Sequence, residues 1–183
     1  MSEELVVRLC APTLAGIKTG SLFSAEYDSE ESFRRELRTL NHTLVPKGLR
    51  ALSLRFGVRH ALVYVYRPAL LRRDLQRQDA NQLLCELGYD ISSPEGCVTQ
   101  LAKRVKASKE FPHEIGLFLS YPPEDVRGFM EHKAEGCKCV GCWKVYGDVD
   151  KAKQVFRRYK RCTEVYCRRW RNGTSMDRLT VAG

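Results

Sequence analysis

The stretch HEIGLFLSYPPEDVRGFMEHKAEGCKCVGCWKVYGDVDKAKQVFRRYKRCTEVYCRRWR, residues 113–171, decides how the chain is read. Its segment IGLFL (115–119) is a short continuous apolar run and predicts a buried strand. Pro122-Pro123 opens a helix carrying Val126, Phe129 and Met130, and Gly136 follows it as a stop. A cysteine-bearing loop leads to 143–146, a further predicted strand. Asp148 then stands where a cap belongs, ahead of a long helix whose apolar face runs Ala152, Val155, Phe156, Tyr159, Cys162, Tyr166 and Trp170.

Outward from this stretch, HALVYVY (60–66) is a β-branched and aromatic run that predicts a central strand covered on both faces. Residues 3–10 predict a turn or two of helix that Pro12 restarts, and 17–25 a short strand or extended segment. Asp28 and Glu31 have capping-box spacing, and Phe33, Leu37, Leu40 and Leu44 then recur as on a helix over 29–44. A short helix is expected over 49–56, a helical region over 67–87 in one piece or two, a Ser93-Pro94 helix to about 108, and a terminal strand over 178–181. The pattern argues for one domain over residues 1–183, an α/β fold with a small parallel or mixed sheet of about four strands flanked by amphipathic helices. An α+β arrangement is the alternative, because strand direction is not written in the pattern.

Hydrophobic residues make up 43% of the 183, enough to bury one sizeable core. The N-terminus is acidic and its apolar run is broken by Arg8 and Pro12, unlike a secretory signal. No stretch approaches the roughly 18 apolar residues of a membrane span. Eight cysteines without an export signal point to a reducing cytoplasm, where thiols or metal ligation are expected before disulfides. The net charge of +9 is uneven: from Asp148 onward ten Lys and Arg face four Asp and Glu. Phosphate-binding, dinucleotide and nucleophile-elbow signatures are absent, which leaves open whether the chain is an enzyme.

Four features are candidates for chemistry. Tyr66, Tyr121 and Tyr146 each end a predicted strand before a helix; if those strands are parallel, the tyrosines gather at one sheet edge with Arg67, Lys144 and Lys18 as ligand-binding candidates. Cys137, Cys139 and Cys142 lie within six residues, and with Cys162 they are candidate ligands for zinc or iron, with Gly141 free to turn the third thiol inward. Cys10, read as preceding a helix start with Lys18 nearby, is a candidate ligand contact or nucleophile. The basic C-terminal helix is a candidate surface for nucleic acid.

The blocks CAPTLAGIKTGSLF (10–23), HEIGLFLSYPPEDVRGF (113–129), CWKVYGD (142–148) and RLTVA (178–182) resemble domain-of-unknown-function family 3793 of anaerobic bacteria. The resemblance covers nearly the whole chain and implies a cytosolic single domain without an established activity. Its blocks match Cys10, Lys18, Tyr121, Asp125, Cys142, Trp143, Lys144, Tyr146 and Asp148, and leave out Cys137 and Cys139. The leading expectation is binding of a metal or small redox-related ligand, with a redox partner protein as one possible associate. A nucleic-acid module and a thiol enzyme acting through Cys10 are the alternatives.

Overall fold

The computed structural model describes residues 1–108, 110–133 and 135–183. Its centre is a three-stranded antiparallel sheet in the order β1 (Gly20–Glu26), β3 (His60–Tyr66), β2 (Arg50–Phe56). The apolar run 60–66 is the middle strand, as its composition requires. Ala61, Val63 and Val65 face one layer and Leu62, Tyr64 and Tyr66 the other, so alternation is hidden because both faces are buried. On the first face pack α1 (Glu3–Leu14), α2 (Glu30–Leu44) and α9 (Met176–Leu179). The second is covered by α3 (Pro68–Leu75), α4 (Gln78–Glu86), α5 (Pro94–Ala107), α6 (Ile115–Phe118) and α7 (Pro123–His132). A small hairpin, β4 (Cys139–Val140) and β5 (Lys144–Val145), and the 23-residue α8 (Val149–Arg171) form a third cluster around Trp143, with α8 lying along α1.

The expected parallel or four-stranded sheet is therefore corrected: the fold mixes helices with a three-stranded antiparallel sheet and a separate two-stranded hairpin. Residues 50–56 are a strand, not a helix. A bulge between Ser53 and Arg55 moves Phe56 to the α2 face, where its ring meets both Tyr27 and Phe33 edge-on. That insertion breaks the period of two and masks the strand in the sequence. The segment 115–119 is a buried helical turn whose backbone closes on itself, with Leu119 N–H and Tyr121 N–H both donating to the Gly116 carbonyl. A short run apolar on every side fits a buried strand and a buried helix equally well. Residues 176–179 are helical, capped by Ser175, where a terminal strand was expected. The cap of α2 is Ser29, one residue beyond Asp28.

Helix α1 runs through Pro12 to Leu14 without restarting, so the proline costs it one hydrogen bond close to its end. Its carbonyl accepts from both Ile17 N–H and Lys18 N–H, which turns the chain back toward β1. What terminates α1 is Arg67, only 3% exposed at the end of β3. Its Nε donates to Thr13 O at 2.7 Å, and its Nη2 donates to Leu14 O at 2.8 Å and to Val181 O at 2.7 Å. A cation here adds a second, charged donor to the Thr13 and Leu14 carbonyls, which also accept from Gly16 N–H and Val181 N–H, and opposes the negative end of the helix dipole. Gly16, at φ +75° and 3.7 Å from the guanidinium by the position of its absent Cβ, makes the tight turn that this packing demands. Arg67 is thus a structural clamp and not the ligand contact its sequence position suggested.

Arg67→Met removes three charged hydrogen bonds in a buried setting, leaving Thr13 O and Leu14 O only their backbone donors Gly16 N–H and Val181 N–H, and is expected to lower unfolding free energy by about 3 kcal/mol. Urea denaturation followed by circular dichroism measures this; a loss below about 1 kcal/mol shows the carbonyls finding other partners.

Candidate functional site

The loop 16–19 is held by its backbone on every side. Thr19 O accepts from Arg67 N–H at 2.9 Å, Thr19 N–H donates to Ser120 Oγ at 2.7 Å, and the Thr19 hydroxyl donates to Asp74 on α3. Ser120 supplies its hydroxyl from a left-handed conformation, φ 63°, a strained position for a non-glycine residue. Lys18 is the half-buried side chain that this anchoring projects from the loop. It enters a cavity of about 270 Å³ bounded by α3, the 120–125 segment, Trp143 and the first half of α8. Its ammonium lies 5.8 Å from the ring centroids of both Tyr121 and Tyr159.

The opposite wall is built by Asp125 in the first turn of α7, itself 3% exposed. Its carboxylate accepts from Trp143 Nε1, Tyr146 N–H and Gly147 N–H, each at 2.7 Å, which fastens the cysteine hairpin onto α7. Trp143 then stacks on Tyr121 with centroids 4.8 Å apart and meets Phe156 edge-on at 4.5 Å. Gly141 is required by this stack, since a Cβ there would come within 2.1 Å of the Phe156 ring; it does not turn a thiol toward a metal.

Five cations line the cavity: Lys18, Arg73, Arg77, Lys151 and Arg158. Arg73 is paired with Asp74 at 3.1 Å and Lys151 with Asp148 at 3.2 Å. Among the described residues no carboxylate lies within ion-pair distance of Lys18, Arg77 or Arg158. Of the lining carboxylates, Asp125 is fully engaged, Asp148 caps α8, Asp74 is shared between Thr19 and Arg73, and Glu124 stands exposed at the rim. Burial pushes the Lys18 pKa below its ordinary 10.5, opposed by attraction to the Cys10 and Cys142 sulfurs. The Tyr159 hydroxyl is pushed up to about 12 by burial, so that side chain stays neutral.

The candidates from sequence separate in space. Tyr121 and Lys18 share the cavity, and Cys142 borders Lys18 on its outer side in a shallower groove between α1 and α8. Tyr66 is stacked on Tyr64 in the core at 4.8 Å, and the Tyr146 hydroxyl donates to Lys133 O at 2.5 Å. The three tyrosines therefore do not gather at one edge, because the strands are not parallel and Tyr121 follows a helical turn. Lys144 lies 5.6 Å over the Phe129 ring beside a second, apolar cavity of about 230 Å³.

Cys10 sits inside α1, fully buried among Val6, Val7 and Leu14, instead of preceding a helix start. Burial pushes its thiol up to about 12, outweighing Lys18 and the Ser21 hydrogen bond, so at neutral pH it is protonated. Cys137 lies beside Tyr146, Cys139 packs toward the Trp143 cluster, and Cys162 lies on α8 near Tyr166. Among the described residues no three His, Cys, Asp or Glu side chains form a group able to hold a metal. Asp74, Arg77 and Ser120 were missed at sequence level. The only local signal was Tyr121-Pro122-Pro123, since Thr19 and Asp74 are 55 residues apart.

Among the described residues no helix is long and apolar enough to cross a membrane. Compared with known proteins, residues 6–180 match a family model described as a protein of unknown function, DUF3793. Neither the curated proteins nor the solved structures contain a match.

Lys18 gives the fold a titration signature. A cation whose folded pKa lies below its unfolded one weakens the native state at low pH, and that penalty is relieved as pH rises through the folded value toward 10.5. Lys18→Met is expected to be more stable than wild type at pH 7, with the gap closing in alkali. Thermal unfolding of both proteins from pH 6 to pH 10 measures it; a variant less stable at pH 7 means the ammonium holds the fold together.

Proposed function

The chain belongs to the DUF3793 family, whose description assigns no activity, and from its geometry we propose that it binds a small organic anion bearing a phosphate or carboxylate in the Lys18 cavity. The observation that carries this reading is the Lys18 ammonium itself. It stands half-buried against two tyrosine rings, without a carboxylate to pair with, beside two further unpaired cations. Even partial desolvation of a charge is costly unless something compensates it, and burial does lower the Lys18 pKa. The ring faces of Tyr121 and Tyr159 offset part of that cost through cation–π attraction, worth roughly 0.5–2 kcal/mol. An anion entering the cavity supplies the rest, and Arg77 and Arg158 widen the field that receives it.

The surrounding hydrogen bonds support a preorganised receptor. Thr19, Ser120, Asp74 and Asp125 fix the walls before any ligand arrives, so little ordering entropy is lost on binding. Cys142 adds a thiol on the far side of Lys18, which keeps a redox-related ligand within this reading.

Thermal-shift measurements with inorganic phosphate, adenosine monophosphate and uncharged adenosine test the proposal. The two anions are expected to raise Tm by about 5–11 °C at a hundredfold excess over Kd, adenosine by less than 1 °C, and Lys18→Met to abolish the shift while remaining folded. Binding is also expected to weaken as pH rises through the lowered Lys18 pKa. Equal shifts from adenosine, or an undiminished shift in Lys18→Met, overturn the reading.

A further inference from the structure

Helix α8 carries nine Lys and Arg against two acidic residues, Asp150 and Glu164. All nine are exposed, and only Lys151 among them has a carboxylate partner among the described residues. They divide into two rows. Lys151, Arg158 and Arg169 lie on one side of the helix, the first two lining the cavity. Lys153, Arg157, Lys160, Arg161, Arg168 and Arg171 recur at helical spacing within an arc of about 100°, along about 27 Å of axis. Glu164 interrupts this second row near its middle. The aromatic residues of the helix face the other way: Tyr159 is buried, and Phe156, Tyr166 and Trp170 pack against the neighbouring clusters.

We infer that this second row is a docking surface for the phosphate backbone of duplex nucleic acid, bound without regard to sequence. The choice of partner follows from what the row lacks. A peripheral membrane helix presents an apolar face to the acyl chains, and here that face is spent on α1 and the hairpin. A protein partner needs aromatic or aliphatic anchors at the centre of the contact, and every exposed residue of α8 is polar. Phosphates need only fixed cations, and a duplex offers one charge per about 1.7 Å along a stiff rod that a straight helix can follow. Four of the six residues are arginines, whose forked donors fit phosphate oxygens. With the aromatic rings turned inward no base is stacked or read, which makes the binding sequence-independent.

Fluorescence anisotropy of the full chain with a 20-base-pair random-sequence duplex, from 50 to 200 mM salt, tests this. Log K is expected to fall against log salt with a slope of about −5, roughly a thousandfold loss over that range, equally for two unrelated sequences. Arg157→Gln/Arg161→Gln/Arg168→Gln is expected to reduce the slope by about 3 with Tm unchanged. A control of equal charge, Arg72→Gln/Lys103→Gln/Lys106→Gln on α3 and α5, is expected to change it by less than 1. Equal losses in the two triples attribute binding to net charge and overturn the proposal. So does tighter binding to polyglutamate or to anionic phosphatidylserine vesicles than to the duplex at matched charge. Lys18, Arg77 and Arg158 are untouched in these variants, so the outcome is independent of the cavity's ligand.

Discussion

The Arg67 guanidinium, buried against the last carbonyls of α1, is the contact on which the arrangement of the cavity depends. Three bonds from one side chain join the end of α1, the end of the central strand and the C-terminal segment at Val181. Its backbone N–H adds a fourth, to Thr19. Guanidinium suits this position because it stays charged in a buried setting and can serve divergent acceptors from one plane. With α1 stopped there, the chain has only Gly16 to Thr19 in which to reach β1, and Lys18 is carried outward from that short loop. A structural arginine thereby fixes the place of the lysine in the proposed binding site.

Asp125 does for the far wall what Arg67 does for the near one. Its carboxylate receives three donors from the 143–147 segment, so a hairpin of four paired residues, too short to hold itself, is fastened to a helix. The Tyr121, Trp143 and Phe156 rings then close the cavity with a rigid aromatic wall. Both walls are fully bonded: among the described residues no buried side-chain nitrogen or oxygen is left without a partner. Lys18 differs in kind: its half-buried ammonium has no carboxylate within ion-pair distance among the described residues and faces the Tyr121 and Tyr159 rings. Proteins accept such local cost where function requires an unpaired charge.

Much of the fold was legible in residues whose signal is local. The helices 30–44, 94–107 and 149–171 announced themselves through apolar spacing and serine or aspartate caps, and the 60–66 run through its β-branched content. What misled were segments whose pattern tertiary contacts override. The bulge at Ser53 breaks the alternation of β2, and the 115–118 turn is apolar on every side because core surrounds it. The same limit governed the site. Lys18, Tyr121 and Cys142 were singled out, but Tyr66, Arg67 and Tyr146 were grouped with them on an assumption of parallel strands that the antiparallel register removes.

The sequence by itself determined where the long helices lie, that one strand is buried on both faces, that α8 is basic on one side and apolar on the other, and to which family the chain belongs. These are properties of spacing and composition within a dozen or so residues. Only the tertiary structure decided that Arg67 clamps α1, that Thr19 meets Asp74 and Ser120, and that Lys18 sits unpaired between Tyr121 and Tyr159. Those contacts join positions 50 to more than 100 residues apart. They follow from which faces the sheet and helices bury against each other, and no periodicity within a single element encodes that.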